Sequence, residues 1–157
     1  MKIGVMSDTH RHYSSINEGI KLLGDIDELI HLGDNTDDVE VIRRSFTGKI
    51  YNVKGNCDFS SSIPSERIEI IEGKKFFITH GHRYDVKYDL LNLRYRAEEL
   101  GADVALFGHT HQSYISYEQG IWIVNPGSVS LPRDNVKSIA VIEITDEGIN
   151  PYLRCIK

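Results

Sequence analysis

Short hydrophobic runs recur along the chain, and each one ends abruptly at a Gly, Ser, Lys, Asp, Asn or His. Runs of four to five residues that are rich in β-branched or aromatic side chains are typical of buried strands. Stretches with helical periodicity separate several of them, so the pattern predicts an α/β protein. The predicted strands of this kind cover residues 3–6, 28–32, 50–53, 76–79, 104–107 and 121–124.

Capping signals and apolar spacing predict three helices. Ser15 and Glu18 form a capping-box pattern, which predicts a helix that reaches residue 23. Thr36 predicts the start of a second helix, which reaches residue 45. Apolar residues on one face predict a third helix over 88–100. The C-terminal third of the chain predicts further strands at 114–117, 139–144 and 152–156.

The order of these elements predicts two packed sheets with helices outside them. In open α/β sheets, ligands bind beyond the carboxyl ends of the strands, which is where this chain places its polar residues. A length of 157 residues is typical of one domain, so we expect residues 1–157 to form a single domain.

The charge balance limits the kinds of molecule that the protein is expected to bind. The chain has 23 acidic and 18 basic residues, a formal net charge of −5, which argues against an extended nucleic-acid surface. A small anionic substrate still fits if bound metal supplies positive charge. Two cysteines give no disulfide framework, and no apolar run approaches the roughly 20 residues of a membrane span. We therefore expect a cytoplasmic protein without membrane contact, and the sequence leaves open whether it forms homo-oligomers.

Seven polar side chains follow the predicted strands, and all offer oxygen or nitrogen donors. Two pairs are spaced two residues apart, which in extended backbone places both side chains on one face. Seven donors exceed one tetrahedral site and suit two ions that share a carboxylate, roughly 3.5–4 Å apart. The mixture of imidazole, carboxylate and amide suits Mn, Fe, Co, Ni or Zn. The seven candidate ligands are Asp8, His10, Asp34, Asn56, His80, His109 and His111.

Each of these motifs alone has an ordinary structural explanation. Gly33-Asp34 and Gly55-Asn56 alone are typical of turns, and Asp8-Thr9-His10 alone is consistent with a strand-to-helix turn. Two histidines at strand spacing after an apolar run, in Gly108-His109-Thr110-His111, rarely serve packing. The remaining motif is His80-Gly81-His82. The occurrence of all five motifs in sequence order, each after a strand, favours a metal centre.

These five motifs resemble those of the calcineurin-like metallophosphoesterase superfamily. The short length and the added Asn125-Pro126-Gly127-Ser128 are similar to its small bacterial and archaeal phosphodiesterase branch. The resemblance implies a four-layer α/β/β/α sandwich of two mixed sheets flanked by helices. It also implies hydrolysis of a phosphate ester by in-line attack of a hydroxide between two divalent metals, with manganese expected first and nickel, cobalt, iron or zinc as alternatives.

The resemblance also implies how the ligands are divided. One metal takes Asp8, His10, Asp34 and His111, and the other takes Asp34, Asn56, His80 and His109, so that Asp34 bridges the pair. Asp34 is thereby the expected catalytic carboxylate, which holds the metal pair that activates water.

Four residues are candidates for proton donation or substrate binding next to the metals. Cys57 stands where many members of the superfamily have a histidine that protonates the leaving group. Its thiol is either a proton donor or a small buried filler. Asn56, His82 and Arg11 are candidates to contact the substrate, although Arg11 is equally consistent with a solvated loop.

Three functions fit this pattern. The first expectation is a phosphodiesterase that acts on a small phosphoester. A phosphomonoesterase or a nuclease of the same fold is the alternative, although a nuclease would normally bring a basic groove. A protein-binding scaffold without catalysis is the third, and it would be favoured by loss of several ligands.

Overall fold

Ten strands and three α-helices make up the computed structural model, which describes residues 1–59 and 61–156. The strands are β1 (Lys2–Met6), β2 (Glu28–His31), β3 (Lys49–Asn52), β4 (Glu66–Ile71), β5 (Lys74–Thr79), β6 (Val104–Leu106), β7 (Ser113–Glu118), β8 (Ile121–Pro126), β9 (Lys137–Thr145) and β10 (Gly148–Ile156). The α-helices are α1 (Tyr13–Leu23), α2 (Val39–Arg43) and α3 (Leu91–Leu100).

The strands form two mixed sheets of five strands each. The first has the order β10-β9-β1-β2-β3 and the second β4-β5-β6-β8-β7. Strands β1, β2 and β3 run parallel to one another, as do β5, β6 and β8. The carboxyl ends of each parallel set therefore lie on one edge of its sheet.

Three hydrophobic layers hold the sheets and helices together. The layer between the sheets contains Ile3, Val5 and Ile30 from the first sheet and Phe76 and Ile78 from the second. Burial of each such side chain stabilises the fold by roughly 1.5–3 kcal/mol. Helices α1 and α2 pack on the outer face of the first sheet and α3 on that of the second. The predicted α/β/β/α sandwich is confirmed.

All of the predicted strands form within one to four residues of their expected bounds, and one strand was not predicted. Strand β4 lies at an edge of the second sheet and pairs only with β5. Its Ile68 and Ile70 side chains are 48% and 61% exposed, so the segment lacks the buried apolar run that identifies the central strands.

The first helix begins earlier than the capping box indicates. It starts at Tyr13, with His12 at the capping position, so the prediction that Ser15 caps it is wrong. The Ser15 hydroxyl lies inside the first turn, 2.7 Å from Nδ1 of His12, and accepts a hydrogen bond from Nζ of Lys137 at 2.9 Å. One local partner, His12, and one distant partner, Lys137, thus occupy the oxygen that the capping box requires.

The other two helices are shorter than predicted. Residues Thr36–Asp38 form a 3₁₀ turn and α2 ends at Arg43, so the helix expected up to residue 45 is divided and truncated. Helix α3 begins at Leu91 rather than at residue 88, because the carboxylate of Asp89 accepts the Leu91 N–H at 3.0 Å and forms a local turn there. No helix in the described parts of the chain is long and apolar enough to cross a membrane.

Candidate metal centre

The loops that follow β1, β2, β3 and β5 meet around one buried imidazole. Nε2 of His80 lies 3.2 Å from Oδ1 of Asn56, 3.5 Å from Oδ1 of Asp34 and 3.8 Å from Oδ1 of Asp8. Nε2 of His10 lies 3.5 Å from Oδ2 of Asp34 on the other side of that carboxylate. Asp34 therefore has one oxygen directed to each of two histidines.

The loop after β6 supplies the remaining two donors. Nε2 of His111 lies 3.1 Å from Oδ1 of Asp8, and the His109 ring is centred 5.1 Å from the His80 ring. The structure thus brings together all seven predicted donors, Asp8, His10, Asp34, Asn56, His80, His109 and His111.

Four of these residues form a compact cluster. Asp8, His10, Asp34 and His111 each offer a ligand atom, and these atoms all lie within 4.8 Å of one another. Among the described residues, Oδ1 of Asp8 and Nε2 of His10 are buried without a hydrogen-bond partner. Buried polar atoms are almost always paired, so these two atoms fit the ligands of a cation.

The tautomers of two histidines support the same conclusion. Nδ1 of His80 lies 2.7 Å from the carbonyl oxygen of Leu32, and Nδ1 of His111 lies 2.7 Å from that of Leu131. Each Nδ1 must donate its hydrogen to its carbonyl, which leaves Nε2 of a neutral ring as an acceptor facing carboxylates. Metal-ligating histidines typically donate the other ring N–H in this way.

The charges of the group favour a cation. Burial raises the pKa of Asp8, but His111 and His80 in their protonated forms, together with the hydroxyl of Ser7, outweigh it and lower the pKa to about 2. Burial and the neighbouring His80 lower the pKa of His109 to about 4. The hydrogen bond to Asp8 raises the pKa of His111, so a proton and a metal ion are alternative partners for its Nε2.

The ligand loops have an unusual backbone conformation. Five donors have positive φ angles: 53° at Asp8, 44° at His10, 56° at Asp34, 67° at His109 and 58° at His111. The reasoning that extended backbone aligns each pair is therefore wrong, because these residues come after the strands have ended. Left-handed backbone at non-glycine residues is strained and concentrates at functional sites.

Several residues hold Asp8 in place and were not identified from the sequence. The hydroxyls of Ser128 and Ser130 both donate to the Asp8 carbonyl at 2.9 Å. Ser7 donates to Oδ2 of Asp8 at 2.5 Å, and the His109 N–H donates to the same oxygen at 3.1 Å. The contacts from Ser128, Ser130 and the His109 N–H span more than 100 residues of sequence, whereas Ser7 is the direct neighbour of Asp8.

Cys57 is not the buried filler that was one of its two interpretations. Its side chain is exposed beside Asn56, and its backbone N–H donates to Oδ1 of Asp34 at 3.1 Å. Partial burial and the nearby carboxylates of Asp34 and Asp58 raise the pKa of the thiol to about 11. At neutral pH the thiol is therefore protonated and weakly acidic.

Two proposed substrate contacts lie at opposite sides of the site. His82 is partly exposed, with its ring centred 5.4 Å from that of His80, and its buried Nδ1 has no partner among the described residues. Arg11 is exposed and lies on a pocket of about 290 Å³ next to the metal cluster. This pocket is lined by Arg11, Asn35, Thr36, Asp37, Cys57, Asp58, Phe59 and Ser61.

The arrangement of donors agrees with sequence comparison. The profile of the calcineurin-like phosphoesterase superfamily domain matches residues 1–147. The chain belongs to this superfamily. Among similar phosphoesterases, the probable metallophosphoesterase YsnB of Bacillus subtilis is 35% identical over 155 residues, covering 94% of this chain and 87% of that protein. Phosphodiesterase MJ0936 of Methanocaldococcus jannaschii is 29% identical over 161 residues, covering 91% and 93%.

A solved phosphoesterase structure has the same fold. The crystal structure of a predicted phosphoesterase from Streptococcus pneumoniae aligns with a TM-score of 0.76 at 28% identity, covering 98% of this chain and 97% of that one. Membership of the superfamily and the Asp8–His10–Asp34–His111 cluster support the binding of divalent metal ions by this phosphoesterase.

Proposed function

We propose that this phosphoesterase is a phosphodiesterase that binds two divalent metal ions and hydrolyses small phosphodiesters. The observation that carries the proposal is the orientation of His80 and His111. Both rings donate Nδ1–H to a backbone carbonyl and direct Nε2 at the carboxylates of Asp8 and Asp34. Lone pairs and carboxylates that face one another at this range are stable when a cation lies between them.

The ligands divide around Asp34. Asp8, His10, Asp34 and His111 form the first group, whose atoms lie within 4.8 Å of one another. Asp34, Asn56, His80 and His109 form the second group, in which Nε2 of His80 is 3.2 Å from Asn56 and 3.5 Å from Asp34. Asp34 belongs to both because its two oxygens face His10 and His80.

The site suits phosphate chemistry although the chain is acidic. Two divalent ions and the carboxylates of Asp8 and Asp34 sum to about +2, and a hydroxide would leave about +1, which attracts a phosphoryl group. Bound metal ions of this kind lower the pKa of water and stabilise charge on phosphoryl oxygens. We propose that Asn56, His82 and Arg11 orient the ester. Oδ1 of Asn56 lies 3.2 Å from Nε2 of His80, the His82 ring is centred 5.4 Å from the His80 ring, and Arg11 lines the pocket next to the cluster.

The proposed substrate class follows from the net charge of the chain and from one similar protein. The phosphodiesterase from Methanocaldococcus jannaschii matches over most of both chains. The net charge of −5 disfavours a long nucleic acid, so a small diester is the expected substrate. A phosphomonoesterase is the alternative. The scaffold function is disfavoured because all seven donors are present and converge.

The mixture of imidazole, carboxylate and amide ligands suits manganese, with nickel, cobalt, iron and zinc as alternatives. We further propose that residues 1–157 act as one catalytic domain. A cytoplasmic location is consistent with both cysteines, Cys57 and Cys155, being exposed and free.

A panel of phosphoesters tests the proposal. Metal-stripped protein is supplied with Mn, Co, Ni, Fe or Zn singly and assayed on matched mono- and diesters that share one leaving group. We expect a higher kcat/KM on diesters and the highest activity with Mn. A consistent preference for the monoester with every metal would refute the diesterase assignment.

A further inference from the structure

One carboxylate outside the proposed ligand set is surrounded by backbone donors from two ligand loops. Oδ1 of Asp58 accepts the N–H groups of Asn35 at 2.9 Å and Thr36 at 3.0 Å. Oδ2 accepts those of Asp34 at 3.0 Å and Gly55 at 2.8 Å. Hydrogen bonds to an ionised acceptor are roughly twice as strong as neutral ones. Asp58 therefore fastens the loop after β2 to the loop after β3.

The contact between these loops is reciprocal. Asp58 accepts the N–H of Asp34, and the carboxylate of Asp34 accepts the N–H of Cys57 at 3.1 Å. The loops also lie against each other without space between them. A Cβ at Gly33 would lie 2.5 Å from N of Gly55, and a Cβ at Gly55 would lie 2.1 Å from Oδ1 of Asp34. The position of Asp34 relative to the second loop thus depends on a few fixed contacts.

We propose that Asp58 is a positioning residue, which sets the distance and orientation between Asp34 and Asn56 and thereby completes the second metal site. The proposal rests on the proposed function, in which Asp34 bridges and Asn56 binds the second ion. Asp34 and Asn56 follow different strands, and three N–H bonds from Asp34, Asn35 and Thr36 to Asp58 join their loops. The fourth, from Gly55, fixes the Asp58 carboxylate within its own loop. Substitutions of groups that orient metal ligands typically cost 10–100-fold in metal affinity or activity.

The geometry excludes a role for Asp58 as proton donor to the leaving group. Both of its oxygens are engaged as acceptors, two N–H groups on each, so neither carries a proton to give. The same geometry explains why an amide cannot replace the carboxylate of Asp58. In Asn the terminal NH₂ would face two N–H donors, and those two backbone groups would lose their acceptor.

The test compares Asp58→Asn and Asp58→Ala with wild type, and Asp146→Asn is the matched control because Asp146 is exposed in the turn between β9 and β10. Amide exchange is measured first on metal-free protein. The N–H groups of Asp34, Asn35, Thr36 and Gly55 should be protected in wild type. All four should exchange at least tenfold faster in Asp58→Ala, and the two that face the new NH₂ group should do so in Asp58→Asn. Protection that is equal in all proteins would overturn the proposal.

Metal titration then separates positioning from folding. Binding of the second equivalent of Mn²⁺ should weaken by about 10–100-fold in the Asp58 variants. The first equivalent, which uses Asp8, His10 and His111 with Asp34, should weaken less, and Asp146→Asn should match wild type. A melting temperature that falls while both metal affinities stay unchanged would make Asp58 merely structural and contradict the proposal.

Two further outcomes are distinguishable. If Asp58→Ala does not fold, Asp58→Asn preserves the side-chain size and gives the same comparison; failure of both to fold would show a general structural role and overturn the proposal. If wild-type protein binds fewer than two metals, the proposed function fails, while the amide exchange of the metal-free proteins still decides whether Asp58 joins the loops.

Discussion

Nε2 of His80 lies 3.5 Å from Oδ1 of Asp34, and the other nitrogen of the same ring is already occupied by the carbonyl of Leu32. A neutral imidazole and a carboxylate would present two acceptors to each other at this distance. A cation between them resolves the conflict, and the same carboxylate faces His10 through its other oxygen. Asp34 is thus the residue on which the two proposed metal positions depend.

Replacing this bridge should remove metal and activity together. Asp34→Asn keeps the shape of the side chain but removes the charge shared by both ions. We expect the metal content to fall below one equivalent per chain and kcat to fall by about 10²-fold or more. Elemental analysis and initial rates at saturating substrate measure the two effects.

The controls for Asp34→Asn are His82→Ala and Arg11→Ala, which change residues outside the proposed ligand set. Both should lower activity less than Asp34→Asn does and leave the metal content unchanged. Two metals per chain with normal turnover in Asp34→Asn would exclude the bridging role.

The exposed thiol of Cys57 predicts the dependence of rate on the leaving group. With a pKa raised to about 11 the thiol is a weak acid, so a departing alcohol leaves largely unassisted. Rates should fall steeply as leaving-group pKa rises, and aryl esters should be cleaved much faster than alkyl esters. The measurement is kcat/KM against leaving-group pKa.

Two variants of Cys57 test whether the thiol donates a proton to the leaving group. Cys57→Ala should change the slope little, and Cys57→His should raise activity on alkyl esters by up to about 10²-fold, since general-acid help contributes about 10²–10⁴. A fall confined to poor leaving groups in Cys57→Ala, with folding and metal content intact, would instead identify the thiol as the donor.

The buried histidine of β2 predicts how stability depends on pH. His31 is fully buried, 3.1 Å from Oγ1 of Thr9 and 3.1 Å from Oδ1 of Asn52. Burial lowers its pKa, so the folded state binds this proton less readily than the unfolded state. The stabilisation that neutral His31 gives to the folded state is therefore fully present above the unfolded pKa of about 6.5. It is lost as pH falls below that value, by up to about 1.4 kcal/mol per pH unit.

Urea unfolding of metal-free protein between pH 8 and 5 measures this effect. His31→Gln should lose less free energy of unfolding over that interval than wild type. The control is His12→Gln, because His12 is exposed and lies outside this contact group. Equal pH dependence in wild type and His31→Gln would show that His31 does not contribute.

The central strands and the proposed ligands could be predicted because both have local signals. Strand β6 is a fully buried apolar run, and β1 is buried after its first residue, Lys2. The residues that follow these strands, Asp8 and His109 among them, have few reasons to be polar unless they bind a ligand. His31 also has a local signal, since it interrupts an apolar strand, and it is a buried, hydrogen-bonded residue of the core.

The contacts that orient the ligands could not be predicted. Asp58 carries no sequence signal for its contacts, yet its carboxylate accepts three N–H groups of the loop after β2 and one of its own loop. Ser128 and Ser130 bind the carbonyl of Asp8 across about 120 residues of chain. The left-handed backbone of His109 also lacks a sequence signal, because such a conformation is set by tertiary contacts rather than by the residue type.

Metal removal tests the central claim most directly. Ions that bind only the folded state stabilise it by RT ln(1 + [L]/Kd), about 2.7 kcal/mol at a hundredfold excess over Kd. Protein stripped by chelation, with removal verified by elemental analysis, should melt at a lower temperature and lose phosphodiesterase activity. Added Mn, Co or Ni should restore both. Unchanged melting together with full activity in verified metal-free protein would contradict the two-metal account.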